Sequence, residues 1–285
     1  MILSFHPCFE ADIQLILGDQ ALGSDHIRLI ERAAAILLPQ ACTQDLFRIC
    51  AESKAFVFPD YAARIQYPGK IGQQRLFETW HLRCPKTFCW RSVRHFEAVQ
   101  SRSGHMPHAY PFLFKEDKSH EGNGVFFLEN EGGLEAALAQ LEVRERSGSR
   151  GFVSQDYIPC GGNVLRAVIM GERMVTYWKR PGNPKAVITT LSRGAGLDHD
   201  WRPALQRKGE VQARLLSAKT GINLAAVDFV FPHASQDPEP HFLEINYYFG
   251  RRGLGGSETY YGLLYAAIRD WLKGRGLDPD AVRLI

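Results

Sequence analysis

The chain has 285 residues, 45% of them apolar and 23% charged, with a net charge of +3 at pH 7 and a pI near 8.5. That length supports a large core divided among two or three compact subdomains, and so mild a charge argues against a nucleic-acid partner. No apolar run nears the roughly 18 residues of a membrane span, and Glu10 and Asp12 come too early for a secretory signal; the expectation is a cytoplasmic protein. Cys8, Cys42, Cys50, Cys84, Cys89 and Cys160 include no CxxC pair, which fits reduced thiols.

Short apolar runs alternate with helical patterns, predicting an α+β or α/β chain. Met1–Phe5 and Asp12–Leu17 read as strands. Ser24-Asp25 caps a helix, Ala35–Leu38 is apolar, Gln44–Ala51 is helical and Ala55–Phe58 is a strand. From Lys70 a helical pattern runs to Cys84-Pro85-Lys86-Thr87, where proline stops it. Ser92 caps a further helix to about Gln100. Pro111–Phe114 is a strand ending in Lys115, Val125–Leu128 a second, Leu134–Val143 a helix and Gly151–Ile158 a third strand. Then follow strands at Val164–Met170, Arg173–Trp178 and Ala186–Leu191, a helix containing Val211–Ala218, two acid-bearing strands, and a closing helix over Ser257–Leu272.

Those two strands are the most informative stretch. Ala226–Phe231 carries Asp228, and His241–Asn246 carries Glu244 and Asn246. Residues i and i+2 of a strand share a face, so Glu244 and Asn246 emerge together. Antiparallel pairing of the two runs can set Asp228 opposite them. Two carboxylates and an amide oxygen suit Mg²⁺ held with a nucleotide; the plainer alternative is polar positions on half-exposed strands. Lys115 followed by Glu121-Gly122-Asn123-Gly124 can form a phosphate nest with a compensating charge, or simply a hairpin turn. Gln155-Asp156-Tyr157-Ile158 can form a hinge along adenine, or a strand edge closed by Pro159. Arg166, in an apolar run, needs an acid or a phosphate as partner. Arg193-Gly194-Ala195-Gly196 is a second basic, glycine-rich turn.

Taken in order, Pro-Phe-Leu-Phe-Lys, the glycine loop, Asp-Tyr-Ile, Leu-Arg-Ala-Val-Ile-Met-Gly, Ser-Arg-Gly-Ala-Gly, Ala-Val-Asp-Phe and Leu-Glu-Ile-Asn resemble the ATP-grasp superfamily. The resemblance runs from about Lys70 to Asp270 and is nearest to the carboxylate–amine ligases that add glutamate or other amino acids. It implies an α+β ATP-grasp fold behind a short α/β domain: residues 1–75, then a small subdomain over 76–160 and a large one over 161–285. It also implies an ADP-forming, ATP-dependent ligase working through an acylphosphate. By the resemblance, Lys115 and Lys70 would contact the nucleotide phosphates, and Glu121–Gly124 would close over them. Gln155–Ile158 would hold adenine and Asn163 would stand where an acid often meets the ribose. Arg166 would steady the transferring phosphoryl group, with Arg193 beside it. Asp228, Glu244 and Asn246 would hold one or two Mg²⁺, or Mn²⁺. The substrates would be a small-molecule or peptide carboxylate and an amine (less readily a thiol), with no nucleic acid or membrane partner; a homodimer is the default oligomer.

The chain departs from the pattern at Ile188 and Thr190, where a basic residue and an amide are usual in the nearest relatives. Tyr247-Tyr248-Phe249-Gly250-Arg251-Arg252 is also bulkier than usual after the second acidic strand, which suggests an unusual acceptor pocket. A non-enzymatic MgATP-binding switch and an ATP-grasp phosphotransferase stand as alternatives.

Overall fold

The computed structural model describes residues 1–285 apart from 19, 120–121, 184–186 and 188, and apart from the side chain of Arg193. The N-terminal segment comprises β1 (Ile2–Ser4), β2 (Phe9–Glu10), β3 (Ile13–Gln14), α1 (Ser24–Arg32), β4 (Ala35–Leu37), α2 (Gln44–Glu52) and β5 (Phe56–Phe58). Four of its strands form a parallel sheet in the order β3-β1-β4-β5. β1 and β4 are buried throughout, as inner strands covered on both faces must be. The strand expected over Asp12–Leu17 contracts to Ile13–Gln14, because it sits on the sheet edge beside a three-residue neighbour. Gly23 rather than Ser24 caps α1.

Two helices follow, α3 (Ala62–Gln66) and α4 (Gly69–Thr79). The next unit contains β6 (Thr87–Trp90), α5 (Val93–Ser103), β7 (Phe112–Glu116), β8 (Val125–Leu128), α6 (Glu131–Arg146) and β9 (Phe152–Asp156). Its strands form an antiparallel sheet in the order β6-β9-β7-β8. β6 was absent from the sequence reading because Pro85 and the Ser92 cap drew Thr87–Trp90 into a helix-to-helix turn; pairing with β9 makes it a strand. One face of this sheet packs Phe112, Phe114, Phe152 and Trp90 against Phe96 of α5 and Leu134, Ala137 and Leu141 of α6. By alternation the other face presents Leu113, Lys115, Val153 and Gln155.

The third unit holds β10 (Val164–Met170), β11 (Arg173–Arg180), β12 (Gly196–Asp198), α7 (Pro203–Thr220), β13 (Leu224–Val230), β14 (His241–Asn246), α8 (Ser257–Lys273) and β15 (Arg283–Leu284). Its antiparallel sheet runs β12-β11-β10-β13-β14. The edge strand is β12, not the expected Ala186–Leu191. Among the described residues of that stretch, Leu191 opens a 3-10 turn and the rest have no regular structure. On one face Leu165, Ala167, Ile169, Val227 and Phe229 pack with Leu205, Ala213 and Leu216 of α7 and with Leu76 and Phe77 of α4. A domain boundary at residue 76 therefore falls within a helix whose apolar side belongs to the large sheet. On the opposite face, Val168, Met170, Leu224 and Ala226 pack under Leu264, Ala267 and Ile268 of α8, and that core continues into Ile2, Phe9, Ala35, Leu37 and Phe58. β15 pairs antiparallel with β2.

Helix α4 joins the small and large sheets. Gln73 donates to the carbonyl of Ile245 at 2.8 Å and accepts from its N–H at 2.9 Å, satisfying the outer edge of β14. At the N-terminus of α4, Asp117 Oδ1 accepts from Ile71 N–H at 2.8 Å. Gly69 is required there: its φ is +69°, and a Cβ would lie 2.5 Å from the Asp117 carboxylate.

Candidate active-site cleft

The open half of the large sheet's α8-facing side is polar. β10 and β13 pair with Arg166 opposite Asp228, β10 and β11 with Arg166 opposite Tyr177, and β13 and β14 with Asp228 opposite Glu244 and Ala226 opposite Asn246. Residues opposite one another share a face, so Arg166, Asp228, Glu244 and Asn246 lie side by side, with a register shift after Asp228. Lys179, two residues beyond Tyr177, joins them. Facing this surface is the Lys115 side of the small sheet, and a cleft of about 730 Å³ lies between.

Lys70, Lys115, Gly122, Asn123, Gln155, Asp156, Tyr157, Ile158, Arg166, Asp228, Glu244 and Asn246 all line that cleft. Two expected residues do not. Asn163 turns its amide onto the carbonyls of Cys160 and Gly161, at 3.1 and 3.2 Å, so its donors are spent within their own turn rather than offered to a ribose. Gly124 packs against Glu116, where a Cβ would collide with Oε2. Its φ of +65° is the turn conformation that the hairpin alternative required. Glu121, Ile188 and the side chain of Arg193 lie outside the described residues.

The cations are held in different ways. Lys70 Nζ donates to the Ser119 carbonyl at 2.6 Å and lies 3.9 Å from Glu244 Oε1; burial lowers its pKa, which Glu244 partly offsets. Lys115 Nζ donates to the neutral amide oxygen of Gln155 at 2.6 Å, and Gln155 is fixed by donating to Thr87 Oγ1 at 2.9 Å. Burial pushes the Lys115 ammonium down to about 8 against the opposing pull of Glu244. A buried charge whose hydrogen-bond acceptor is an uncharged amide favours an arriving anion.

This gives a pH signature with a definite sign. The folded pKa lies below the ordinary 10.5, so between these values the unfolded chain binds more protons and the stability of the free protein rises with pH. Affinity for a phosphate-bearing ligand moves the other way, falling as pH passes about 8 and the ammonium discharges. Titrating the ligand at pH 7 and pH 9 checks this; equal affinity at the two would remove Lys115 from the anion site.

Asp228 is the most heavily engaged acid. Arg166 Nε donates to its Oδ1 and Nη2 to its Oδ2, both at 2.7 Å. Lys179 donates to Oδ2 at 2.8 Å and Asn246 Nδ2 to Oδ2 at 3.3 Å. Burial alone would raise the carboxyl pKa, but the two cations hold it well below the ordinary carboxylate range. Lys179 is the residue that sequence reading missed: the strand expected over Arg173–Trp178 runs two residues further, to Arg180. The alternation Val175, Tyr177, Lys179 was the available signal.

As a metal site, the donor set fits in part. Glu244 is 31% exposed, and Asn246, donating through its nitrogen, keeps its amide oxygen for another partner. Asp228 does not fit as an open ligand, because its oxygens already accept four donors.

The apolar end of the cleft follows β9. Tyr157 packs edge-on to Phe127 at 5.0 Å, and Ile158 joins Cys160, Val164, Val230 and Leu243 in a small cluster. The Asp156 carboxylate is bound to His108 Nδ1 at 2.6 Å, and His108 Nε2 meets Ser154 Oγ at 2.8 Å. Trp90 Nε1 can only donate, and does so to the same Ser154 oxygen at 2.8 Å. The Ser154 proton then goes to Nε2, leaving Nδ1–H to donate to Asp156. Burial lowers the His108 pKa and favours this neutral tautomer. The four-residue relay anchors the end of β9 where the hinge begins.

The bulky segment after β14 divides its side chains. Tyr247 is in the large-sheet core, Phe249 packs on the α8 core and also lines the cleft, and Tyr248, 60% exposed, lines the cleft with Arg251 and Arg252.

The chain overlays the N5-carboxyaminoimidazole synthetase of Staphylococcus aureus, solved with ADP, at a TM-score of 0.59 and 13% identity, over 88% of this chain and 65% of that one. It overlays a RimK domain protein of Sphaerobacter thermophilus, described as ATP-grasp, at 0.56 and 16% identity, over 92% and 97% of the two chains. The fold is ATP-grasp. In sequence, a probable alpha-L-glutamate ligase 2 of Hahella chejuensis is 26% identical over 145 residues, which is 50% of this chain and 44% of that protein. The chain therefore spans less than half of that curated relative. No protein-family model matches.

Proposed function

We propose that the chain is an ATP-dependent ligase that joins a carboxylate to an amine, with release of ADP and phosphate. The observation that carries this reading is Lys115, a buried ammonium on an uncharged acceptor inside an ATP-grasp cleft. The surrounding charge supports it: among the described residues Lys70, Lys115, Arg166, Lys179, Arg251 and Arg252 line the cleft with Asp156, Asp228 and Glu244, six positive groups against three negative ones. A polyanion balances that excess. Residues 1–75 form the front domain in this reading, and the two later sheets form the small and large subdomains.

Adenine lies along Gln155–Ile158 against the apolar cluster, and the triphosphate runs toward Lys70, Lys115 and the Gly122-Asn123 turn. A carboxylate oxygen of the first substrate attacks the γ-phosphorus while the bond to the bridging β-oxygen breaks, giving an acylphosphate and ADP. The amine then attacks the acyl carbon, phosphate leaves with the C–O electron pair, and the amine gives up a proton. The protein's part is positioning and charge neutralisation. Mg²⁺ bound by Glu244 and Asn246 would neutralise phosphate oxygens. The Asp228–Arg166 pair fixes the guanidinium toward the transferring group.

Calorimetric titration with a non-hydrolysable ATP analogue, with and without Mg²⁺, tests the nucleotide site. Mg²⁺-enhanced binding is expected, and a folded protein that binds in neither condition overturns the reading. ADP release from acid–amine pairs then separates a ligase from a phosphotransferase or a switch by its product.

A further inference from the structure

We infer that Lys179 takes the place of a second metal ion, so that the cleft binds its nucleotide with one divalent cation rather than two. The inference rests on the MgATP reading above. It starts from the lone pairs of Asp228. An ionised carboxylate offers about four acceptor sites, two on each oxygen. Oδ1 accepts Arg166 Nε, and Oδ2 accepts Arg166 Nη2, Lys179 Nζ and Asn246 Nδ2. Oδ2 already serves three donors with two lone pairs.

A Mg²⁺ ligated by Oδ2 would stand about 2.1 Å from that oxygen, while the Lys179 ammonium stands 2.8 Å from the same atom. Both cannot occupy that side of the carboxylate, and two fixed positive charges already outweigh its single negative one. Glu244 differs. Among the described residues its nearest cation is Lys70 at 3.9 Å, and it shares a sheet face with Asn246, whose amide oxygen is left for another partner. These two residues would hold the one ion; Asp228 supports it indirectly, by orienting the Asn246 amide.

Lys179 also has the properties that a metal substitute needs. It is 6% exposed, lines the cleft and is held in place by Asp228. An ammonium carries three donors, and the bond to Asp228 uses one, which leaves two for phosphate oxygens. The charge that a second ion would bring is thus built into β11.

Counting bound Mn²⁺ by electron paramagnetic resonance, with a saturating non-hydrolysable ATP analogue, decides the matter. One ion per chain is expected in the wild type and in Lys179→Arg, which retains the cation, and two in Lys179→Ala. Two ions in the wild type overturn the inference without any need for a variant. So does one ion in a folded, nucleotide-binding Lys179→Ala protein, since Lys179 would then not be what excludes the second. Failure of the wild type to bind the analogue at all, with or without metal, removes the nucleotide reading and this inference with it, and is distinguishable from both.

Discussion

Asp228→Asn is expected to destabilise the free protein by about 3–5 kcal/mol, the usual cost of removing one partner from a buried ion pair. The substitution is nearly isosteric, so packing changes little. Electrostatics change a great deal: Arg166 and Lys179, 12% and 8% exposed at their side chains, both lose their counter-charge. Denaturant unfolding of the metal-free protein measures this directly. A loss under about 1 kcal/mol, within the range of an exposed pair, would show that Asp228 does not act as the buried counter-charge of Arg166 and Lys179. The same pair sets an acid limit. The folded carboxyl titrates below the ordinary 3.8, so the unfolded chain takes up its proton first. The stabilisation is complete above that ordinary value and is lost as pH falls toward the folded one. Loss of turnover in Asp228→Asn, taken alone, says nothing about a metal; stability and ion binding must be read together.

Lys115→Met is expected to act in opposite directions on two measurements. Nucleotide affinity should fall by about 2–5 kcal/mol, the cost of truncating one side of a buried, hydrogen-bonded charge pair, or roughly 30- to several-thousand-fold. The free protein should become more stable, because a side chain of similar length replaces an ammonium whose charge burial disfavours. Calorimetric titration and thermal unfolding of the same preparation check both. Weaker binding together with lower stability would mark Lys115 as a structural residue, whereas unchanged affinity would place the phosphates elsewhere.

The outline of the cleft was legible because strand alternation is a strong local signal. Val164–Met170 and Val125–Leu128 run as read, and antiparallel pairing does put Asp228 opposite Glu244. The partners of those side chains were not legible. Which cation neutralises Asp228 depends on the register of β10 and β11, set by pairing between segments that no local pattern connects. Thr87–Trp90 and Gly196–Asp198 were missed for a related reason: such short strands exist through their neighbours, β9 and β11, rather than through their own composition. The glycine-rich segment divides: Gly124 takes the turn conformation, while Gly122 and Asn123 line the cleft.

The continuous core beneath α8 has a mechanical consequence. Ile2, Phe9, Ala35, Leu37 and Phe58 share it with Val168, Met170 and the inner side of α8, and the β2–β15 ribbon staples the last residues of the chain to the first. These parts make one stiff anvil: any slippage between them would tear apolar surface open. The small sheet has an aromatic interior of its own. Its ties to the anvil include the polar Asp117 and Ser119 bonds to the tip of α4, which water can replace at little cost. The cheap way to widen the mouth is therefore to swing this one jaw about the segments flanking it. Lys70, seated on the anvil with its ammonium on the jaw's Ser119, is the latch that such a swing would have to undo.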